Sequence, residues 1–201
     1  IAIDEAHCVS MWGHDFRKSY GLIAEFIDNL RIRPVVTAFT ATATEVVRKD
    51  VINLLKLRNP YIYIGSFDRE NLEIKLYIEE DKLELVKDII REREGEAGII
   101  YCATRKEVDG LYYYLKDLGY DVLKYHGGLK DSEKEFYQDE FLNENSNVMI
   151  ATNAFGMGID KSNIRYIIHF TIPKNIEGYY QEIGRAGRDG LSAKCYLFFN
   201  R

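Results

Sequence analysis

The stretch Gly98-Ile99-Ile100-Tyr101-Cys102-Ala103-Thr104-Arg105-Lys106-Glu107, followed by Val108–Leu118, Gly119 and Tyr120–Lys124, decides the fold class. The apolar run Gly98–Tyr101 reads as a short buried strand. Thr104 and Glu107 have the spacing of a capping box, in which hydroxyl and carboxylate each satisfy a free backbone amide, so a helix is expected over Lys106–Leu118. Gly119 fits a left-handed C-terminal cap, and Asp121–Lys124 reads as the next strand. Strand, helix, strand in that order implies a parallel pair joined by a crossover helix.

The same alternation extends in both directions. Further strands are expected at Ile1–Asp4, Val35–Phe39, Ile62–Ile64, Leu72–Ile78, Val148–Ala151, Tyr166–Phe170 and Lys194–Phe199. Helices are expected at Gly21–Leu30, Glu45–Leu55, Lys82–Glu92, Glu133–Leu142 and Ile176–Ile183, with a second capping box at Ser132–Glu135. The pattern predicts an α/β fold: a mostly parallel sheet with helices on both faces. Arg58-Asn59-Pro60 breaks the preceding helix, which suggests a boundary at 60/61. Residues 61–201 hold enough elements for a complete domain, whereas residues 1–60 supply two strands and two helices, as expected of the back half of another.

The chain has 201 residues, 46% hydrophobic and 29% charged, with net charge -5. This balance is that of a globular protein and argues against one that wraps nucleic acid by bulk charge. Residues 1–60 carry eight Lys/Arg and seven Asp/Glu, while the rest carry 19 and 25. A nucleic-acid site would therefore be local and built by loops. No apolar run approaches the ~20 residues of a membrane span, and no secretory leader is expected. Cys8, Cys102 and Cys195 lack C-x-x-C spacing, which argues against a disulfide framework or a zinc site and fits a reducing cytoplasm.

Several segments carry residue types suited to chemistry. In Gln181-Glu182-Ile183-Gly184-Arg185-Ala186-Gly187-Arg188-Asp189-Gly190, two arginines three apart share a helical face. Planar guanidinium forks suit a polyphosphate; two surface arginines in salt bridges fit the segment alone equally well. Ile1-Ala2-Ile3 ends in Asp4-Glu5-Ala6-His7, acids at the carboxyl end of a buried strand. There an aspartate can hold hydrated Mg2+ on a nucleotide and a glutamate can orient a water; an exposed acidic loop is the bland alternative. The following loop interleaves Trp12, Phe16 and Tyr20 with His14, Arg17 and Lys18. It suits base stacking with phosphate contacts, and equally a loop anchored on the core. Thr40-Ala41-Thr42-Ala43-Thr44 can cap a helix or bond the acids. Thr104-Arg105, Tyr125-His126-Gly127-Gly128 and Thr152-Asn153 follow three strands and together suggest a track for backbone phosphates; each alone reads as a cap or turn. Ala154–Lys161 is a glycine-hinged loop with one acid, Asp160. The sequence contains no G-x-x-x-x-G-K-[ST] segment.

Taken together, these segments resemble superfamily 2 helicases, and among them the RecQ-type DNA helicases, along essentially the whole chain. Asp4–His7 is similar to motif II, Trp12–Tyr20 to the aromatic-rich loop, Thr40–Thr44 to motif III, Ile100–Arg105 to motif IV, Ile150–Lys161 to motif V and Gln181–Gly190 to motif VI. The resemblance implies a RecA-like fold: one complete second RecA-like domain plus the C-terminal half of the first. It implies ATP-driven 3′-to-5′ unwinding of duplex DNA in replication, recombination and repair. Asp4 would bind Mg2+ through water and Glu5 would activate the attacking water. Arg188 would be the arginine finger, assisted by Arg185 and Gln181, with Gly158 and Asp160 sensing nucleotide. Trp12, Phe16, Arg17, Thr104, Arg105, His126 and Thr152 would contact DNA, single-stranded or at duplex junctions. His7, Thr40 and Thr42 would couple the two activities. A cytoplasmic, bacterial nucleoid-associated setting is expected, with no membrane partner.

Met11 and Lys18 stand where the family pattern has glutamine and proline. The phosphate-binding loop and zinc module of such helicases fall outside the matched motifs, so the chain alone is expected not to hydrolyse ATP. Two other readings are a non-catalytic single-stranded DNA-binding module and an RNA helicase or translocase of the same superfamily; the Trp-Gly-His-Asp-Phe-Arg loop argues against the latter.

Overall fold

The computed structural model describes residues 1–13, 16–66, 68–156 and 159–200. The chain divides into two compact units, residues 1–67 and 68–201.

In the first unit, β1 (Ala2–Ile3) pairs in parallel with β2 (Thr37–Ala38). The pairing extends past β1, because Ala6 donates its amide to the Phe39 carbonyl at 2.8 Å. Helices α1 (Leu22–Asp28) and α2 (Glu45–Leu54) flank the pair. Ile3, Ala6, Val9, Ile27, Val47, Val51 and Leu55 form its core. Thr44 caps α2, accepting the Val47 amide at 3.4 Å. Two 3-10 turns, Ala6–Val9 and Lys18–Gly21, were not foreseen from periodicity, which a four-residue turn is too short to display.

The second unit is a six-stranded sheet with the spatial order β3-β8-β7-β4-β6-β5, parallel throughout. Its elements in chain order are β3 (Leu72–Ile78), α3 (Lys82–Glu92), β4 (Ala97–Tyr101), α4 (Arg105–Asp117), β5 (Leu123–Tyr125), α5 (Asp131–Leu142), β6 (Val148–Ala151), β7 (Ile164–His169), α6 (Ile176–Ile183) and β8 (Ala193–Phe199). Strand alternation separates two cores. Ile100, Ile150, Ile168 and Phe198 pack with Val86 and Ile89 of α3 and Val108, Leu111 and Leu115 of α4. Their neighbours Ile99, Met149, Ile167 and Cys195 pack with Phe141 of α5 and Ile183 of α6 on the other face. Strands covered on both faces must be apolar at every position, which is why the central ones read as continuous hydrophobic runs.

The capping box that opens α4 is present. Thr104 Oγ1 accepts the Glu107 amide at 3.1 Å, and Glu107 Oε2 accepts the Thr104 amide at 3.0 Å. Gly119, at φ 86°, closes α4 with the two bonds of a Schellman motif, Gly119 to Lys116 and Tyr120 to Leu115. Two expectations are corrected. Ser132 does not cap α5: the helix begins at Asp131 and Glu133 Oε2 accepts the Lys130 amide, two residues before the serine. Ile62–Ile64 form no strand. They lie exposed, with no neighbouring strand among the described residues to bond their backbone, so β propensity alone does not organise them.

Candidate functional site

The first unit concentrates its chemistry in residues 4–20 and 40–42. Asp4, at the exposed end of β1, accepts the Glu5 amide on Oδ1 at 2.9 Å. Glu5 sits at φ 46°, left-handed for a residue with a Cβ, and so carries a strain of about 1–3 kcal/mol. The turn brings its carboxylate to 3.2 Å from His7 Nδ1. His7 is buried, and the same nitrogen lies 2.9 Å from Thr40 Oγ1, whose own proton goes to the Thr42 carbonyl at 3.1 Å. A carboxylate only accepts, and the threonine proton is already committed. Nδ1 therefore carries the proton, leaving Nε2 beside Cys8 Sγ at 3.7 Å. His7 and Thr40 are thus brought together; the buried Thr42 joins through its carbonyl, while its hydroxyl has no partner among the described residues.

The aromatic loop grows from this turn. Gly13 packs so closely that a Cβ there would lie 2.3 Å from the His7 carbonyl oxygen. Ser10 Oγ accepts the Trp12 amide and donates to Asp50 at 2.6 Å. Met11 and Trp12 are each 78% exposed, and Phe16 is exposed as well. Arg17, half-buried, donates its amide to the Cys8 carbonyl, and Tyr20 Oη donates to the Asp4 carbonyl at 3.3 Å. His14 lies outside the described residues.

In the second unit the two arginines occupy different environments. Arg185 is half-buried and donates from Nη1 to the carbonyl of buried Gly156. Gly156, at φ 154°, would bring a Cβ to 2.3 Å from the Arg185 guanidinium carbon. Arg188 is exposed, donating to the Ile159 carbonyl at 3.0 Å with Asp160 at 3.4 Å. Gln181 is half-buried on α6, and Gly158 lies outside the described residues. Beneath α6, buried His169 pairs through Nε2 with Glu182 at 2.8 Å and stacks on Tyr101. Burial pushes the Tyr101 phenol up despite the nearby arginines, so it remains a donor, to the Phe155 carbonyl at 3.2 Å. Burial likewise pushes the Cys102 and Cys195 thiols up to about 12, leaving neither a nucleophile at neutral pH.

The expected phosphate-track loops leave β4, β5 and β6 at their carboxyl ends, and these strands are adjacent in the sheet. Thr104 and Arg105 are exposed. A Cβ at Gly128 would lie 3.1 Å from Arg105 Cδ, so that side chain lies along the glycine pair. His126 is buried, and its Nδ1 accepts the Gly128 amide at 3.1 Å, turning Nε2 toward Asp109 at 3.4 Å. Thr152 is also buried, its amide donating to the Tyr125 carbonyl at 3.1 Å and its hydroxyl accepting from Ala154. Arg105 is thus available to a ligand, whereas His126 and Thr152 shape the loops from beneath. The sequence reading missed Arg69 and Asn71, whose side chains bond the backbone of residues 186–191. It also missed His169. Neither periodicity nor spacing signals the Arg69 and Asn71 bonds, which span more than 100 residues, or the His169 pairing, which joins a strand to a helix. Among the described residues no helix is long and apolar enough to cross a membrane, and no cluster of three metal-ligating side chains occurs.

A family model described as the helicase conserved C-terminal domain matches residues 81–190. The chain is 48% identical over 200 residues to the ATP-dependent DNA helicase RecQ of Bacillus subtilis (strain 168), covering 100% of this chain and 34% of that protein. It is 45% identical over 204 residues to the RecQ-like DNA helicase BLM of Xenopus laevis, covering 100% of this chain and 15% of that protein. The chain thus spans about a third of the bacterial relative's length and less of the vertebrate one's. Among solved structures, S. cerevisiae Dbp5 bound to RNA and ADP BeF3 is similar with a TM-score of 0.80 at 23% identity, covering 100% of this chain and 53% of that one. At that identity the likeness speaks for the α/β fold alone. The RecQ-type resemblance drawn from the motifs is borne out along the full chain.

Proposed function

We propose, from the premise that the chain belongs to the helicase conserved C-terminal domain family and is of RecQ type, that it forms part of an ATP-dependent 3′-to-5′ DNA helicase acting in recombination, replication and repair. The observation that carries this reading is the Glu5–His7–Thr40 chain set directly beneath an exposed aromatic loop. A change at the acids reaches Trp12 through few atoms.

In this reading Asp4 holds a hydrated Mg2+. A single exposed carboxylate at a strand end fits such an ion, which retains most of its waters and binds mainly to phosphates. Mg2+, when bound, neutralises phosphate charge. Glu5 orients the attacking water, and His7 holds the Glu5 carboxylate through Nδ1–H. Arg188, exposed at its guanidinium, supplies positive charge to the γ-phosphate, beside Asp160. Arg185 supports it from behind by fixing the Gly156 loop. Trp12, Phe16 and Arg17 engage bases and phosphates, while Thr104 and Arg105 line the backbone track with His126 and Thr152 beneath them. A cytoplasmic, nucleoid-associated setting follows from the proposed DNA substrate. The chain by itself carries no G-x-x-x-x-G-K-[ST] segment, so we expect no ATP turnover from it alone.

The test is DNA-stimulated ATP hydrolysis in a chimera in which this chain replaces the matching segment of the Bacillus subtilis relative. Trp12→Ala and Arg17→Ala should abolish most of the DNA stimulus while leaving basal turnover within about threefold. An unchanged stimulus would reduce the loop to a structural element. Tight single-stranded DNA binding by the chain without turnover in the chimera would favour a non-catalytic binding module.

A further inference from the structure

Arg188 projects from a turn whose backbone is held by side chains from the start of the second unit. Arg69 Nη2 donates to the Ala186 carbonyl at 3.2 Å and the Gly187 carbonyl at 3.1 Å. Asn71 Nδ2 donates to the carbonyls of Gly187 and Leu191, both at 2.9 Å. Arg69 Nε meets Asn71 Oδ1 at 3.4 Å, locking the two side chains together. The Asn71 carbonyl in turn accepts the Ala193 amide at 2.9 Å, where β8 begins. Gly187, at φ 56°, is the centre of this bracket: a Cβ there would lie 2.5 Å from Asn71 Nδ2 and 2.7 Å from the Leu191 carbonyl. Its amide donates to the Ile164 carbonyl at 2.9 Å. The carbonyls on the N-terminal side of Arg188 are therefore bound, while the Arg188 side chain itself stays exposed.

We infer that Arg69 and Asn71 are positioning residues for Arg188. They fix the Gly187 turn so that the guanidinium is presented to the phosphoryl group in one geometry. This rests on the proposed reading of Arg188 as the charge that acts on a nucleotide. A residue that only stabilised would spread its bonds over the core; these two aim four side-chain hydrogen bonds at the carbonyls of a single loop. Misplacement of a catalytic charge by about 1 Å can cost on the order of 100-fold in rate, so a bracket of this kind acts on kcat rather than on binding.

The experiment has two parts. In the 201-residue chain, amide hydrogen exchange of residues 186–191 is compared between the parent and Asn71→Ala. Faster exchange confined to that loop, with an unchanged melting temperature, is expected; unchanged exchange would overturn the inference. In the chimera described above, Asn71→Ala and Arg69→Ala should lower kcat for ATP by about 10- to 100-fold with KM within about threefold. Arg69→Lys, which keeps the charge and one donor nitrogen but not the planar fork, should recover part of it. Arg188→Ala is the control. If Arg188→Ala leaves kcat intact, the reading of the arginine fails. If Arg188→Ala is inactive but Asn71→Ala and Arg69→Ala turn over within twofold of the parent, the positioning role alone fails. Should Asn71→Ala melt early, Asn71→Asp, which keeps the shape and removes the amide donors, takes its place; a kcat loss matched by a loss of folded protein there would also overturn the inference.

Discussion

The two arginines of Gly184-Arg185-Ala186-Gly187-Arg188 should separate cleanly when each is replaced by alanine. Arg185 is half-buried and donates to the carbonyl of buried Gly156. Removing it deletes a charge-assisted hydrogen bond worth about 1.5–3 kcal/mol and leaves a buried carbonyl without its donor. Arg188 is exposed, its partner Asp160 is 94% exposed, and its bond to Ile159 stands at the surface. A surface pair of this kind contributes about 0–1 kcal/mol. For a domain of this size, 1 kcal/mol moves the midpoint by roughly 3–5 °C. Arg185→Ala should therefore lower the melting temperature of the second unit by roughly 5–15 °C, and Arg188→Ala by less than about 5 °C. Thermal unfolding of the chain by circular dichroism reads both. Equal shifts, or a larger one for Arg188→Ala, would refute the division of labour between a tie and an exposed charge. In the chimera both variants should lose turnover, but only Arg185→Ala should lose stability with it.

Three further outcomes follow from the second unit. Thr104→Ala removes one half of the α4 capping box and should cost about 1 kcal/mol, read as a lower urea midpoint with an unchanged slope. Gly98→Ala places a methyl 2.1 Å from the ring of fully buried Tyr166 and should cost about 1–3 kcal/mol; adding Tyr166→Leu should return part of it, and no recovery would point to backbone strain instead. Burial alone would raise the Asp109 carboxyl, but the Lys124 hydrogen bond and the neighbouring His126 imidazole outweigh it and hold the carboxyl below its ordinary value. A depressed folded pKa contributes stability above the unfolded value, and that contribution disappears as pH falls through the folded one. Asp109→Asn should thus flatten part of the stability loss below about pH 4 and leave the slope near neutrality unchanged, as measured by urea midpoints across pH.

Some of this architecture was legible because it is local. The strands Leu72–Ile78 and Val148–Ala151 and the helices Lys82–Glu92 and Ile176–Ile183 have the expected bounds, since each carries its own period and ends at a cap or turn residue. Thr104 and Gly119 could be read for the same reason: a capping box and a Schellman motif close within six residues. What escaped was set by distance. Ile62–Ile64 has the composition of a strand but no strand to pair with, and pairing is not written in the segment itself. Arg69 and Asn71 sit in a polar stretch with no periodicity, and their partners lie more than 110 residues away. The arginine pair was visible as a pair; which member is tied down depends on where the Gly156 carbonyl falls, and that is a product of the fold.

In the proposed reading, the first unit couples the acids of residues 4–5 to the aromatic loop, and its bonding suggests how. Asp4 and the aromatic loop are not joined end to end; they are closed into a ring. Tyr20 Oη returns to the Asp4 carbonyl, the Arg17 amide to the Cys8 carbonyl, and Gly13 presses against the His7 carbonyl. His7 itself is held between Glu5 and Thr40. A ring of short bonds around a buried histidine leaves little slack to absorb a displacement. The strained φ of Glu5 is retained only because these surrounding contacts over-determine it. A movement of the Glu5 carboxylate toward a bound nucleotide would release His7 Nδ1 from one of its two acceptors and shift its load onto Thr40. The His7 carbonyl, against which Gly13 and hence Trp12 are seated, would have to move with it. On the proposed reading, coupling would run through this seat of Gly13 on the His7 carbonyl.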